Sequence, residues 1–424
     1  MKNRVLITSI PCWNQRSGAN TYSSLFEDYG SENIANIYIS PEFPDSNICS
    51  RYFNIREWQV VKSVFNRTIK TGEEINVQDR LFDNTRTKEF SRTTKFSRKR
   101  KRLFLWLREV AWKLGKWKSR ELDDFLADFN PDVLVFSIES YPYFNRLNEY
   151  IINKIKPRKV IGYLWDDNFT YKQFPNSIIF KLERYFLRKQ VRNLINLCTD
   201  VLAISPKMKK ECDAEFNIES ILLTKPLRKS DVSSYVPHSG ILRFLYTGAL
   251  TIGRDSVILD LAEAINNINQ TNDLISLDVY TMTPMSDHFI EKISKCKLCS
   301  LHSSIPQEKA FKLQENSDVL IFVESLDATN QIARLSFSTK ITDYLSCKRC
   351  VLVIGQENNA SVEYFMSQDA AIVCDDKNKL YDILTRIITT PSIISEYAHK
   401  AEKCGDENHS RDKILTKLNS IING

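Results

Sequence analysis

Ser338-Thr339-Lys340-Ile341-Thr342-Asp343-Tyr344-Leu345, running into Val351-Leu352-Val353-Ile354, decides how the rest of this 424-residue chain is read. Ser338 and Thr339 are N-cap residue types. Ile341, Tyr344 and Leu345 recur at helical spacing, and the apolar run behind them reads as a buried strand. A capped helix start offers N–H groups and the positive end of the helix dipole to an anion. Asp343 lies four residues past Thr339, one turn on, so a carboxylate stands near the same end. A diphosphate on the N–H groups and sugar hydroxyls on the carboxylate would suit a nucleotide-sugar. Taken alone, the octapeptide also describes an ordinary capped helix in an α/β domain.

The chain is long enough for two sizeable domains. Its composition, 42% apolar and 26% charged, is that of a globular protein. With only 11 Gly, and neither G-x-G-x-x-G nor G-x-x-x-x-G-K-[ST], a dinucleotide oxidoreductase and a P-loop kinase are disfavoured. A phosphate site here must rest on helix ends and cations. No apolar run approaches the ~18 residues of a membrane span. The run at 5–10 is too short for a signal peptide and reads as a first strand. The ten Cys, scattered among apolar neighbours, suit free thiols in a reducing cytosol. Cys296/Cys299 and Cys347/Cys350 lie too far apart for a zinc ribbon, and neither pair opens a helix after a strand. All five His fall in the second half, which disfavours Ser-His-Asp and H-E-x-x-H chemistry.

Strands and helices alternate almost throughout, which predicts α/β architecture with parallel sheets covered on both faces. Strands are expected near 5–10, 34–39, 132–137, 160–163, 201–204 and 221–223. Helices are expected near 19–27, 103–125, 178–197 and 207–215. Residues 229–240 are polar and turn-rich and read as a linker. The pattern then restarts, with strands near 243–247, 277–281, 298–302, 319–323, 351–354 and 371–374 and helices near 256–267, 377–388, 392–404 and 411–421. The expected domains are 1–228 on the acceptor side and 241–405 on the nucleotide-sugar side. Residues 406–424 form a final helix able to pack back on the first domain. Two such sheets would turn their strand C-terminal ends toward one cleft.

This order of elements, with the motifs inside it, resembles a GT-B glycosyltransferase of the large retaining family 4 group. Tyr246-Thr247-Gly248-Ala249-Leu250-Thr251-Ile252-Gly253-Arg254 is similar to that family's "Y-V-G-R-L-x-x-x-K". Thr339 to Val351 is similar to "S-K-x-x-E-Y-x-x-x-G-K-P-V", and Cys198 to Lys210 to "A-D-x-v-i-x-v-S-x-x-m-k". The chain departs from the pattern at named positions. Ala249 stands where the family usually has a phosphate-binding Arg, and Arg254 takes the place of the Lys. Asp343 replaces a Glu, Leu335 stands where many members have a second Glu, and Cys350 replaces a Pro.

The resemblance implies two Rossmann-like domains facing a cleft, a nucleotide-diphosphate sugar as donor, no cofactor, no metal and retention of configuration. Arg254, Ser338, Thr339 and Lys340 would stabilise the leaving diphosphate beside Gly248, and Asp343 would take the ribose hydroxyls. On the other side, Gly18 in the first βα loop would let the backbone approach a ligand, with Asn20 and Thr21 on sugar or phosphate. Trp165-Asp166-Asp167-Asn168 follows the strand at 160–163. Asp166 is the best candidate to face the donor sugar, and Asp167 either binds substrate or caps the next turn. Glu139 is a further candidate acid. The pair Asp166-Asp167 imitates a metal-binding D-x-D, but adjacent acids point apart.

Residues 86–120 hold fourteen Lys or Arg against two Glu, a net +12 in a chain of +7, so the remainder totals −5. Arg98-Lys99-Arg100-Lys101-Arg102 is followed by Leu103, Trp106, Leu107, Val110, Leu114 and Trp117 at helical spacing. Basic residues interleaved with tryptophan suit an amphipathic helix, 98–118, on an anionic membrane surface. A core-packed helix with a basic outer face is the competing reading. Nucleic-acid binding is disfavoured by the acidic remainder and the lack of a motif. The expectation is a cytoplasmic transferase, peripheral on the inner face of the plasma membrane, with a glycan or lipid-linked acceptor in cell-surface polysaccharide synthesis. A non-catalytic GT-B-like partner protein is the alternative.

Overall fold

The computed structural model describes residues 2–13, 20–75 and 102–424, and two sheets organise them. The first holds β1 (Val5–Thr8), β2 (Ile34–Tyr38), β3 (Arg51–Ile55), β4 (Gly72–Ile75), β5 (Val133–Ser137), β6 (Lys159–Leu164), β7 (Asp200–Ala203) and β8 (Ile221–Leu222). Their order is β4-β3-β2-β1-β5-β6-β7-β8. Pairing is parallel, as expected, except between β3 and the edge strand β4, where it is antiparallel. The second sheet holds β9 (Leu242–Thr247), β10 (Ile275–Thr281), β11 (Cys299–Ser303), β12 (Val319–Val323), β13 (Cys350–Ile354) and β14 (Ile372–Cys374). Its order is β11-β10-β9-β12-β13-β14, all parallel.

The helices are α1 (Asn20–Phe26), α2 (Glu57–Ser63), α3 (Arg102–Leu114), α4 (Arg120–Phe129), α5 (Pro142–Ile155), α6 (Ile178–Leu197), α7 (Pro206–Phe216), α8 (Arg254–Ile268), α9 (Asp287–Ser294), α10 (Gln307–Glu315), α11 (Lys340–Ser346), α12 (Ala360–Ser367), α13 (Leu380–Thr389), α14 (Ser392–Asn408) and α15 (Arg411–Asn423). Helices on both faces explain why the central strands β5 and β12 are buried along their whole length and read as unbroken apolar runs. Each sheet reverses its strand order at a central strand. In the first, β1 lies between β2 and β5; in the second, β9 lies between β10 and β12. Ligand crevices open outside the strand C-termini at such switch points.

The helix expected over 103–125 is two helices. A Cβ on Gly115 would meet Val60 Cγ1 at 2.6 Å and Ala111 O at 2.8 Å, so only glycine lets the chain turn there. Ser119 then caps α4 by accepting from the Leu122 N–H at 3.2 Å. Trp117 therefore lies beyond α3, is buried, and donates to Trp112 O at 2.7 Å. Trp112 is buried as well, stacked on Tyr143 with ring centroids 4.9 Å apart. The large apolar residues Leu103, Phe104, Leu105, Trp106, Leu107, Val110 and Leu114 of α3 face solvent. Residues 86–101 of the basic segment lie outside the described residues.

The halves are tied together in several places. Ile414, Leu418, Ile421 and Ile422 of α15 join the core of the first sheet, and Arg411 pairs with Asp28 at 2.7 Å. The segment after β12 also crosses over. Leu335 is fully buried in the first half's core, and Arg334 bonds Glu211 of α7 at 2.7 Å.

Candidate functional site

The two switch points meet in one cleft. On the second sheet, Gly248 follows β9, Glu324 follows β12, and Arg254 and Lys340 are the first residues of α8 and α11. Gly248 has φ +146, and a Cβ there would stand 2.7 Å from Lys340 Nζ. The lysine side chain thus passes over bare backbone because position 248 has no side chain. Its ammonium lies 4.5 Å from the Tyr246 ring centroid and donates to Tyr246 Oη at 3.3 Å. Among the described residues no carboxylate comes within ion-pair distance of it. Burial, with the Arg254 charge, lowers its pKa to about 7.

Arg254, expected to stabilise the leaving diphosphate, is held by a residue the sequence reading did not single out. Its guanidinium clasps Glu324 with Nη2 at 2.8 and 2.9 Å and Nε at 3.1 Å from the two carboxylate oxygens. Both side chains are largely buried. Burial opposes the charge on Arg254, and the Glu324 carboxylate outweighs it and raises its pKa. The one available signal was position, since an acid directly after a fully buried strand lies at a switch point.

The helix start at Ser338 and Thr339 is more self-satisfied than expected. Thr339 is already helical, with φ −61 and ψ −20, and its side chain makes no cap bond. Ser338 does the capping: its Oγ accepts from the Lys340 N–H at 3.3 Å and its carbonyl from the Ile341 N–H at 3.1 Å. These two N–H groups are already bonded, so the cationic side chains carry more of any anion site than the helix end does. Asp343 accepts from Lys225 Nζ at 2.6 Å. Lys225 follows β8 and is itself buried, so the carboxylate is fixed from across the junction of the halves.

On the first sheet, Glu139 follows β5 and Asp166 follows β6. Ser137 Oγ donates to Glu139 at 2.5 Å. Burial raises the Glu139 pKa to about 7, and the Asp166 charge adds to this. Asp166 is reached by solvent and accepts from Ser336 Oγ at 3.0 Å, a residue of the second half. Surrounding protein pushes its pKa up despite that bond. Asp167 turns away, as one of the two sequence readings had it. Its side chain has no exposed surface, accepts from the Thr170 N–H at 2.9 Å and lies 3.6 Å from Arg334. Such a carboxylate presents nothing to a ligand. Thr21 is also buried, within α1. Asn20 begins that helix, and Gly18 lies outside the described residues.

The structure thus groups Gly248, Arg254 and Lys340 on one side, Glu139 and Asp166 on the other, and places Asp343 at the junction. Among the described residues no three His, Cys, Asp or Glu side chains converge as a metal site would need.

Neither a protein-family model nor a curated protein matches the sequence. Solved structures do. An α,α-trehalose 6-phosphate synthase from Burkholderia multivorans is similar over 100% of this chain and 98% of its own, with TM-score 0.61 and 8% identity. Anabaena Alr3699/HepE in complex with UDP is similar over 99% of both chains, with TM-score 0.61 and 9% identity. A mutant of S. aureus TarM, in complex with fondaparinux, alpha-GlcNAc-glycerol and UDP, aligns with 71% of this chain and 58% of its own at TM-score 0.52 and 12% identity. At such identities the likeness speaks for architecture. Two doubly wound sheets facing one cleft, matched from end to end, give this chain the GT-B fold.

Proposed function

We propose that the protein transfers a sugar from a nucleotide-diphosphate sugar to a glycan or lipid-linked acceptor. The observation that carries this is Lys340, an ammonium without a carboxylate partner among the described residues, fixed over Gly248 at the second switch point. A cation so placed fits the diphosphate of a donor, and the UDP-bound neighbour of the same fold agrees with it. Asp343 would hold the ribose and Asp166 would face the sugar. The bond from the anomeric carbon to the diphosphate breaks as the acceptor oxygen bonds that carbon. The acceptor proton passes to a donor phosphate oxygen on the same face, so configuration is retained and no metal is needed. The basic segment would hold the enzyme at an anionic membrane during polysaccharide assembly.

One observation favours a second reading, a non-catalytic GT-B-like membrane partner: Arg254 and Asp343 are both already paired. A thermal-shift screen with UDP-, GDP-, ADP- and dTDP-sugars separates the two. A ligand at a hundred times its Kd stabilises by about 2.7 kcal/mol, and the responding series names the base. No shift with any of the four would overturn the transferase reading.

A further inference from the structure

The exposed apolar face of α3 does not stand alone. Beside it runs α6, joined through Trp106 Nε1, which donates to Glu183 Oε1 at 2.7 Å. This long helix has two faces. Phe180, Leu187, Val191 and Leu194 are buried. Ile178, Leu182 and Phe186 point the other way and are 82%, 59% and 63% exposed. On α3, Trp106 and Leu107 are each 56% exposed. Two adjacent helices of a folded domain rarely show water this many large side chains without a function.

The charges identify what covers them. The sequence of α6 has five Lys or Arg and one acid, and that acid, Glu183, is the one bonded to Trp106. Lys181 and Lys189 are exposed and form no ion pair among the described residues. Five consecutive cations, 98–102, lead into α3 in the sequence. Large apolar side chains, with tryptophan and tyrosine among them and lysine ammoniums at the margins, have the chemistry of a surface that sits in the headgroup layer of an anionic bilayer. A face for a second copy of this chain would put these unneutralised cations against each other.

We infer that α3 and α6 together form a platform that inserts Trp106, Leu107, Ile178, Leu182 and Phe186 into anionic lipid. This deepens the membrane attachment proposed above and rests on it, but it moves the insertion onto α6, which the basic segment does not include. The test is co-sedimentation with vesicles of about 30% phosphatidylglycerol in phosphatidylcholine. Leu182→Ser with Phe186→Ser should lower the vesicle partition about tenfold or more. Lys181→Gln with Lys189→Gln should lower it in phosphatidylglycerol vesicles and leave it unchanged in pure phosphatidylcholine. Bromine on the acyl chains should quench Trp106 fluorescence, with Trp106→Phe as the reference. Wild-type partition into phosphatidylglycerol vesicles with no loss in the serine variant would overturn the platform and leave attachment by the basic segment standing. No partition of the wild type at all would overturn both. A dimer by light scattering that the serine variant breaks would overturn the platform and assign the face to a second copy. Nucleotide-sugar binding by the serine variant, measured by calorimetry, should equal the wild type, which shows that the fold and donor site are intact.

Discussion

Glu324 should be a residue whose removal strengthens donor binding. In the cleft Arg254 and Glu324 cancel, and Lys340 is the one cation of that cluster without a carboxylate partner among the described residues. Glu324→Gln keeps an acceptor for the guanidinium and removes the opposing charge, so two cations face the diphosphate instead of one. A charge-assisted hydrogen bond contributes about 1.5–3 kcal/mol. Arg254 must still leave a neutral amide to make it, so a net gain of about 1–2 kcal/mol follows, a roughly five- to thirty-fold lower Kd for UDP. Stability should move the other way when the cation goes. Arg254→Ala leaves a carboxylate that is 6% exposed without its partner, and breaking a buried pair from one side costs about 3–5 kcal/mol. Arg254→Met combined with Glu324→Gln removes both charges and should recover most of that loss. Calorimetry with UDP and urea unfolding of the three variants measure both effects. Weaker or unchanged UDP affinity in a folded Glu324→Gln protein would refute the placement of Arg254 at the diphosphate. Equal stability of Arg254→Ala and the double variant would refute the buried-pair argument.

Three further outcomes are expected. Asp343→Ala should weaken nucleotide-diphosphate binding by about 1.5–3 kcal/mol, and an unchanged calorimetric affinity would remove Asp343 from the ribose. Turnover should survive EDTA; loss of activity restored by Mn²⁺ would move Asp166 to a metal role. Lys340 titrates near 7 when folded instead of at 10.5, so the unfolded chain holds more protons between those values and stability should rise with pH across that window. Donor affinity should fall as pH passes about 7 and the ammonium is lost, and Lys340→Met should flatten that profile.

Much of the architecture was legible because it is written in apolar runs. Val319–Val323 and Ile178–Leu197 lie where the sequence pattern put them, since helix-covered strands and two-faced helices leave plain periodicities. Other elements hid behind polar residues that folding buries. Helix α5 carries Asn145 and Asn148 on its inner face, and Asn148 accepts from Thr8 Oγ1 at 2.6 Å in the core. β3 carries Asn54, which donates to the backbone oxygens of Tyr38 and Ser40. No hydrophobicity pattern marks such residues as interior. At the candidate site, the motif order pointed to Gly248, Arg254, Lys340 and Asp343, whereas the partners Glu324 and Lys225 were invisible because an ion pair between distant segments has no local signature. Leu335, at the position where the resembled pattern often has a second acid, is instead an apolar side chain that anchors the crossing segment in the first half.

That crossing segment connects the exposed apolar side of α6 to the cleft in few steps. Arg184 of α6 points inward, donating to Asp167 O at 2.8 Å and to Gln173 Oε1 at 2.7 Å. Gln173 donates in turn to Ile332 O at 3.0 Å, and four residues on Ser336 donates to Asp166. One face of α6 is thus exposed to solvent while its other face supports the turn that carries Asp166. On the membrane reading proposed above, a lipid-linked acceptor would have its head in the cleft and its tail in the bilayer that α6 meets. On that reading the basic segment would bring the protein to the bilayer and α6 would orient it, because the inner side of α6 is bonded through Gln173 and Ile332 to the segment that carries Ser336.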